Sequence, residues 1–308
     1  MQEKKILIIK FGGLGDIVLS LNAIYSIKKK FKNKIFLLTE KPYESFFQKS
    51  KWFEKIITIR RSLIYSLDIL EIKRKLDVDK IEKVFDLQTS RRSSYYLKIF
   101  NERRSEINGI GKFANKKHNN KNRNEMHTIP RQEEQLKISN IKFQKKPDLN
   151  WLFKSEKVLN MGNKISLIVP GGSKKRMNKR IPLEIYDEII KTLLTRSITP
   201  ILIGADDDET VCRKLKKKFP TIKNLCNETN FFQIAYLSKK SLISFGNDTG
   251  PMHIISRGNN PTFVFYTNNS NPNLCRQIGK KTFILNYEND HNLFLSKIFK
   301  ELQKVSNN

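Results

Sequence analysis

The stretch KILIIKFGGLGDIVLSLNAIYSIKKKF, Lys5 to Phe31, sets three pieces in a fixed order: an apolar run, a glycine turn and a helical pattern. Ile6 to Ile9 is uninterrupted apolar sequence, as expected of a strand covered on both faces in a parallel sheet. The same rhythm returns in KIFLLTE then YESFFQKS, and in KVFDLQTS then SYYLKIF. After KKPDLNWLF it resumes through KISLIVPGGS, LEIYDEIIKTLL, TPILIGAD, ETVCRKLKKKF, FQIAYLSKK, SLISFGNDTG, PMHIISRG and PTFVFYT. Strand and helix patterns that alternate in this way predict an α/β protein with two doubly wound halves, 1–150 and 151–308, the last helix being free to pack back on the first. Such halves are expected to face one another across a central cleft at the C-terminal ends of their strands, where open α/β sheets take ligands. Between them, from Gly109 to about Lys146, the rhythm lapses; KFANKKHNNKNRN carries cations and no acid, and reads as a loop or mobile linker.

Composition narrows the partners. The 308 residues carry 59 Lys and Arg against 30 Asp and Glu, a formal charge of +29. That imbalance favours encounters with anions, whether nucleic acid, phospholipid, phosphorylated glycan or nucleotide, and does not choose among them. Cys212, Cys226 and Cys275 form no CxxC pair, which argues against a cysteine metal site and fits a reducing cytosol. The N-terminal apolar run is too short for a signal peptide, and no run approaches the roughly 18 apolar residues of a membrane span. The expectation is a soluble cytoplasmic protein, able to make peripheral contact with the anionic inner face of the cytoplasmic membrane through charge.

Gly12, Gly13 and Gly15 allow a sharp strand-to-helix turn that a ligand can approach closely. Read as a dinucleotide fingerprint, the turn would pair with Glu40 as a ribose ligand. Val18 then replaces the small third residue, and Asp16 sets a negative charge where a pyrophosphate would sit. Two readings of Asp16 stay open: a favourable partner of the helix dipole, or a carboxylate exposed to the cleft and able to take a proton from a hydroxyl.

A second constellation lies in SLISFGNDTGPMHII. An apolar strand ends near Phe245, Gly246 to Gly250 turn, and Pro251 suits the first position of a helix. The amides of Thr249 and Gly250 would face an anion there, with His253 in the first turn; the alternative is plain helix capping over a core histidine. The turn VPGGSKKRMNKRIP adds Lys174, Lys175, Arg176, Lys179 and Arg180, cations able to neutralise a diphosphate without metal. GADDDE, Gly204 to Glu209, reads as a loop capping the next helix more readily than as a metal site. No GxSxG elbow and no GxxxxGK[ST] loop is present.

ILIIKFGGLGDIVLSLNAI, VFDLQTSRRS, PGGSKKRMNKRIP and above all NDTGPMHIISRGNNPTFVFY together resemble glycosyltransferase family 9, the ADP-heptose:lipopolysaccharide heptosyltransferases, over most of the chain and in the right order. The resemblance implies a GT-B architecture, with an acceptor-binding Rossmann-like domain followed by one that binds a nucleotide-sugar. It implies inverting, metal-independent transfer of a sugar, expected to be a heptose from ADP-heptose, onto a lipopolysaccharide core or related anionic glycolipid. By resemblance Asp16 is the catalytic base and Lys179 stabilises the leaving diphosphate. The donor contacts carry over to Ser173, Lys179, Asp208 or Glu209, Asp248, Thr249, Gly250 and His253. Gly13, Gly15, Arg60 and Arg61 fall on the acceptor side. No cofactor other than the donor substrate, no metal and no specific nucleic acid is implied. Two competing classes are a basic nucleic-acid-binding protein, motivated by total charge, and an NAD-dependent oxidoreductase, which rests on the first glycine turn alone.

Overall fold

A computed structural model describes residues 4–31, 34–103, 105–154 and 161–306. The chain divides into two units, Met1–Trp151 and Leu152–Asn308. In the first, β1 (Lys5–Ile9), β2 (Ile35–Glu40), β3 (Lys55–Ile59), β4 (Ile81–Asp86), β5 (Glu106–Gly109) and β6 (Lys116–Lys117) form one sheet in the order β3-β2-β1-β4-β5-β6. The second unit builds its sheet from β7 (Ile165–Val169), β8 (Thr199–Leu202), β9 (Lys223–Asn224), β10 (Ile243–Asn247), β11 (Thr262–Tyr266) and β12 (Thr282–Asn286), in the order β12-β11-β10-β7-β8-β9. Every pairing is parallel. Taken in chain sense, both orders are the same doubly wound topology. Its direction of winding reverses between β1 and β4 in one sheet and between β7 and β10 in the other, and a reversal of this kind opens a crevice at the C-terminal strand ends.

The local reasons are those of the pattern. All of β7 and the last four residues of β1 are buried, because helices cover both faces of a parallel sheet. The helix Leu14–Lys30 buries Ile17, Val18, Leu21 and Ile24 and ends in Lys28, Lys29 and Lys30, cations placed at the negative end of its dipole. In the second core the rings of Phe245, Phe263 and Phe283 stack at centroid separations of 5.3 and 4.8 Å. The last helix, His291–Ser306, adds Phe294, Ile298 and Leu302 to that core, each burial stabilising by about 1.5–3 kcal/mol.

The segment from Gly109 to Lys146 corrects the expectation of a loop. It supplies β6 and a helix, Thr128–Lys137, packed on Leu14–Lys30. The helix buries Thr128, Gln132, Gln135 and Leu136, so three of its four seating residues are polar. Gln132 Nε2 donates to Ser20 Oγ at 2.9 Å, Gln135 Nε2 to the Asp86 carbonyl at 2.9 Å, and Asn108 Nδ2 to the Gln135 carbonyl at 2.8 Å. Polar seating leaves no apolar stripe for periodicity to detect. Among the described residues no helix is long and apolar enough to cross a membrane.

Candidate active site

Each unit gathers chemistry at its own point of reversal. In the second, β7 leads into the turn Pro170 to Arg180 and β10 into the turn Asp248 to Gly250. Asn247, wholly buried, joins the two: its Nδ2 donates to the carbonyls of Pro170 and Gly171 at 2.8 and 2.9 Å, while its Oδ1 accepts from Tyr186 Oη at 2.9 Å. Asp208 lies 7 % exposed beneath the first turn, accepting from the Gly172 amide at 2.6 Å and the Ala205 amide at 3.0 Å. Arg180 reaches the carbonyls of Gly172 and Asp207, and Asp208 Oδ1 at 3.4 Å. Gly171 leaves no room for a side chain, because a Cβ there would overlap the Asp208 carboxylate.

Lys179 projects from this turn to Asp248, Nζ to Oδ2 at 2.8 Å, and donates to Ser270 Oγ at 3.0 Å. Gln277 Nε2 donates to Asp248 Oδ1 at 2.9 Å while its Oε1 accepts from Tyr266 Oη at 2.9 Å. Burial alone would raise the Asp248 pKa; hydrogen bonds from Lys179 and Ser270, the Lys179 charge and Gln277 outweigh it and hold the carboxyl below its ordinary range. An ammonium donates three hydrogen bonds, and these two contacts leave one for an incoming anion. The helix Gly250–Ser256 begins beside the network with Pro251 in its first turn. Thr249 Oγ1 is buried there with no hydrogen-bond partner, and His253, 5 % exposed, sits under the turn. Ser173 caps the short turn Lys174–Lys179 by accepting from the Lys175 amide at 3.3 Å. The acidic run is dispersed: Asp207 takes the Lys174 amide at 2.9 Å and Glu209 pairs with Arg213. No group of three or more His, Cys, Asp or Glu able to hold a metal is found among the described residues.

In the first unit, Asp16 occupies the first turn of Leu14–Lys30 and is exposed, and among the described residues its carboxylate makes neither a hydrogen bond nor an ion pair. Gly12 donates its amide to Glu40 Oε2 at 2.6 Å, and a Cβ on Gly12 would collide with Tyr43 and Glu40. Glu40 also binds Arg61 Nε at 2.7 Å, so the residue that a dinucleotide reading would give to a ribose is already engaged. The same bond neutralises one of the two arginines assigned to the acceptor, leaving Arg60 exposed on the surface.

Sequence reasoning missed the neighbours of Asp16. Lys10, 4 % exposed, follows β1 directly, and Asp86 ends β4 with its carboxylate wholly buried. Arg123 and Arg131 come from the 109–146 segment, Arg131 on the helix Thr128–Lys137. Burial pushes the Lys10 pKa down, opposed by Asp16 and Asp86. Burial raises the Asp86 carboxyl to about 6, although the Thr89 amide, the Ser93 hydroxyl, the Gln88 amide and Lys10 all favour its charged form. Arg123 is pushed down to about 10 by burial and by Arg131. Its Nε donates to His118 Nδ1 at 3.1 Å, and His118 Nε2 meets Glu134 Oε2 at 3.1 Å. Among the described residues, none of Lys10, Arg123 and Arg131 has a carboxylate ion-pair partner. The one available signal was Lys10 itself, a cation between Ile9 and Phe11 in an otherwise buried run. A pocket of about 530 Å³ lined by Ile189, Leu193, Leu242 and Phe245 lies at the opposite, N-terminal edge of the second sheet, away from the Lys179–Asp248 network.

The model of the family described as glycosyltransferase family 9 (heptosyltransferase) matches residues 70–301. Among solved structures, the chain is similar to E. coli heptosyltransferase WaaC with ADP, at 18% identity and TM-score 0.78 over 98% of this chain and 99% of that one. It is similar to E. coli ADP-heptose LPS heptosyltransferase II at 14% identity and TM-score 0.72, covering 98% of each chain. A glycosyl transferase family 9 structure from Veillonella parvula gives 15% identity and TM-score 0.75 over 97% of this chain and 90% of that one. A comparison with curated protein sequences found no match. The chain belongs to glycosyltransferase family 9, the heptosyltransferases, and takes the GT-B pair of Rossmann-like domains as its fold.

Proposed function

We propose that this protein transfers a heptose from ADP-heptose, with inversion and without metal, to a lipopolysaccharide core or related anionic glycan at the inner face of the cytoplasmic membrane. Asp16 takes the proton of the acceptor hydroxyl, whose oxygen attacks the anomeric carbon. The bond from that carbon to the diphosphate breaks, and the nucleoside diphosphate leaves with the electron pair. Lys179, aligned by Asp248 and Ser270, receives the departing charge; Thr249 and Gly250 line the same turn, with Ser173 and the Asp208-held glycines on its other side. Lys10, Arg123, Arg131 and Arg60 attract the anionic acceptor to the base.

One observation carries this reading: a carboxylate exposed at the first point of reversal and engaged by no hydrogen bond or ion pair among the described residues, as suits a general base. Two structural neighbours support the donor, being described as WaaC with ADP and WaaC with ADP-2-deoxy-2-fluoro heptose. The test is a thermal-shift series with ADP-, GDP- and UDP-sugars, followed by NMR of the product's anomeric centre. Stabilisation by ADP-heptose alone and an inverted product are expected; stabilisation by another nucleotide sugar alone, or a retained configuration, would overturn the corresponding step.

A further inference from the structure

Eight large apolar side chains stand exposed among the described residues, and five of them, Leu63, Ile64, Leu67, Leu70 and Tyr95, belong to one patch of the first unit. Leu63 is 95 % exposed and Leu70 63 %. Leu67, Leu70 and Arg74 share the outer face of the helix Tyr65–Lys75, whose opposite face buries Asp68 and Ile72. Tyr95 joins through its ring contact with Tyr65, at 5.8 Å.

This display is braced from below. Asp68 Oδ1 accepts from the Ser62 amide at 2.7 Å, and its other oxygen takes Arg92 and Tyr96. Arg92 Nη1 also donates to the Ser62 carbonyl at 2.6 Å and stacks over Tyr65 at 4.4 Å. A buried ion pair thus holds the loop so that its leucines face outward.

Cations surround the apolar residues. Arg60, Arg74 and Lys75 line a depression of about 580 Å³ with Leu67 and Leu70, and Lys73 and Arg91 are exposed beside it. The two acids of this stretch are engaged, Asp68 by Arg92 and Glu71 by Lys75 at 2.6 Å. An apolar tip flanked by Arg60, Lys73, Arg74 and Arg91, none of them in an ion pair among the described residues, is complementary to an anionic lipid bilayer, whose headgroups take the charges while the acyl boundary takes the leucines. Leu63 and Ile64 follow the end of β3, and because the sheet is parallel they lie on the same C-terminal edge as the Asp16 turn, from which the helix Tyr65–Lys75 runs back along β3.

We infer that Leu63, Ile64, Leu67 and Leu70, flanked by Arg74 and Lys73, dock the first unit on an anionic membrane by shallow insertion, presenting a lipid-anchored acceptor to the Asp16 edge. The last clause rests on the function proposed above; the docking does not. The experiment is co-sedimentation of the full chain with phosphatidylglycerol–phosphatidylcholine vesicles and with phosphatidylcholine vesicles alone. The Leu63→Ser/Leu67→Ser variant, altered only at exposed positions, is run beside the parent. The parent partitions onto anionic vesicles, and the double variant loses at least tenfold of that partitioning while its melting temperature and its turnover of a soluble, deacylated acceptor stay at parental values. Equal partitioning of parent and variant would overturn the inference, as would light scattering that finds a parental dimer split by the same substitutions. Vesicle binding lost in the variant while no heptosyl acceptor turns over would sink the proposed reaction and leave the docking surface standing.

Discussion

The two points of reversal share one topology and differ in how their charges are settled. In the second unit Lys179 is matched by Asp248 and Ser270, and Asp248 in turn by Ser270 and Gln277, a network in which each charge has a hydrogen-bonded partner. In the first, Lys10 and Arg123 both lie near Arg131 with no ion pair among the described residues, and Asp16 stands exposed beside Lys10 and Arg131. One fold therefore supports both a pre-arranged cradle and a site left electrostatically unsatisfied, which locates the chemistry in the residues and not in the topology. A satisfied network costs little to hold and binds an anion in a fixed pose. An unsatisfied one is maintained by the fold at some expense of stability, and is released by the right ligand.

The comparison breaks most visibly at Asp16. Asp16→Asn is expected to lower kcat by about 10² to 10⁴-fold, the usual contribution of a general base, with nucleotide-induced thermal stabilisation unchanged; parental turnover would remove the base assignment. Next comes the same substitution at two lysines. Lys179→Met strips a buried carboxylate of its cation and should cost about 3–5 kcal/mol in denaturant unfolding, most of it recovered when Asp248→Asn is added. Lys10→Met removes a buried ammonium that has no hydrogen-bonded partner among the described residues, so its stability should fall within about 1 kcal/mol of the parent or rise. Equal losses at the two sites would erase the contrast.

A pH series sharpens it further. The folded-state carboxyl of Asp86 titrates at about 6 against an ordinary 3.8, so the native state holds the proton more tightly than the unfolded chain. Stability therefore falls as pH rises from about 4 to 6, by up to about 3 kcal/mol for a shift of two pKa units, and the loss is complete above 6. Asp86→Asn should flatten that slope in urea titrations across this range. The smallest effect is expected at Gln132→Ala, which leaves Ser20 without its donor and should cost about 1 kcal/mol.

Much of this was legible in the chain. Ile6 to Ile9, Ile165 to Val169 and the glycine turns after them announce buried parallel strands and ligand-facing loops, because apolar runs and Gly act locally. Lys179 and Asp248 were legible one at a time, but the bond between them was not: it joins two crossovers through β7 and β10, and no spacing encodes it. The helix Thr128–Lys137 was hidden because glutamines seat it, and with it went Arg123 and Arg131. The exposed leucines near position 65 escaped for the converse reason, since apolar residues on a helical pattern ordinarily imply burial.

Gly171 and Asp208 share a single volume, the carboxylate occupying the space that any larger residue at 171 would claim. Over evolutionary time the two positions are bound to a joint fate: a substitution at one is tolerated only after the other has changed, and in sequences of related enzymes they should vary as a linked pair.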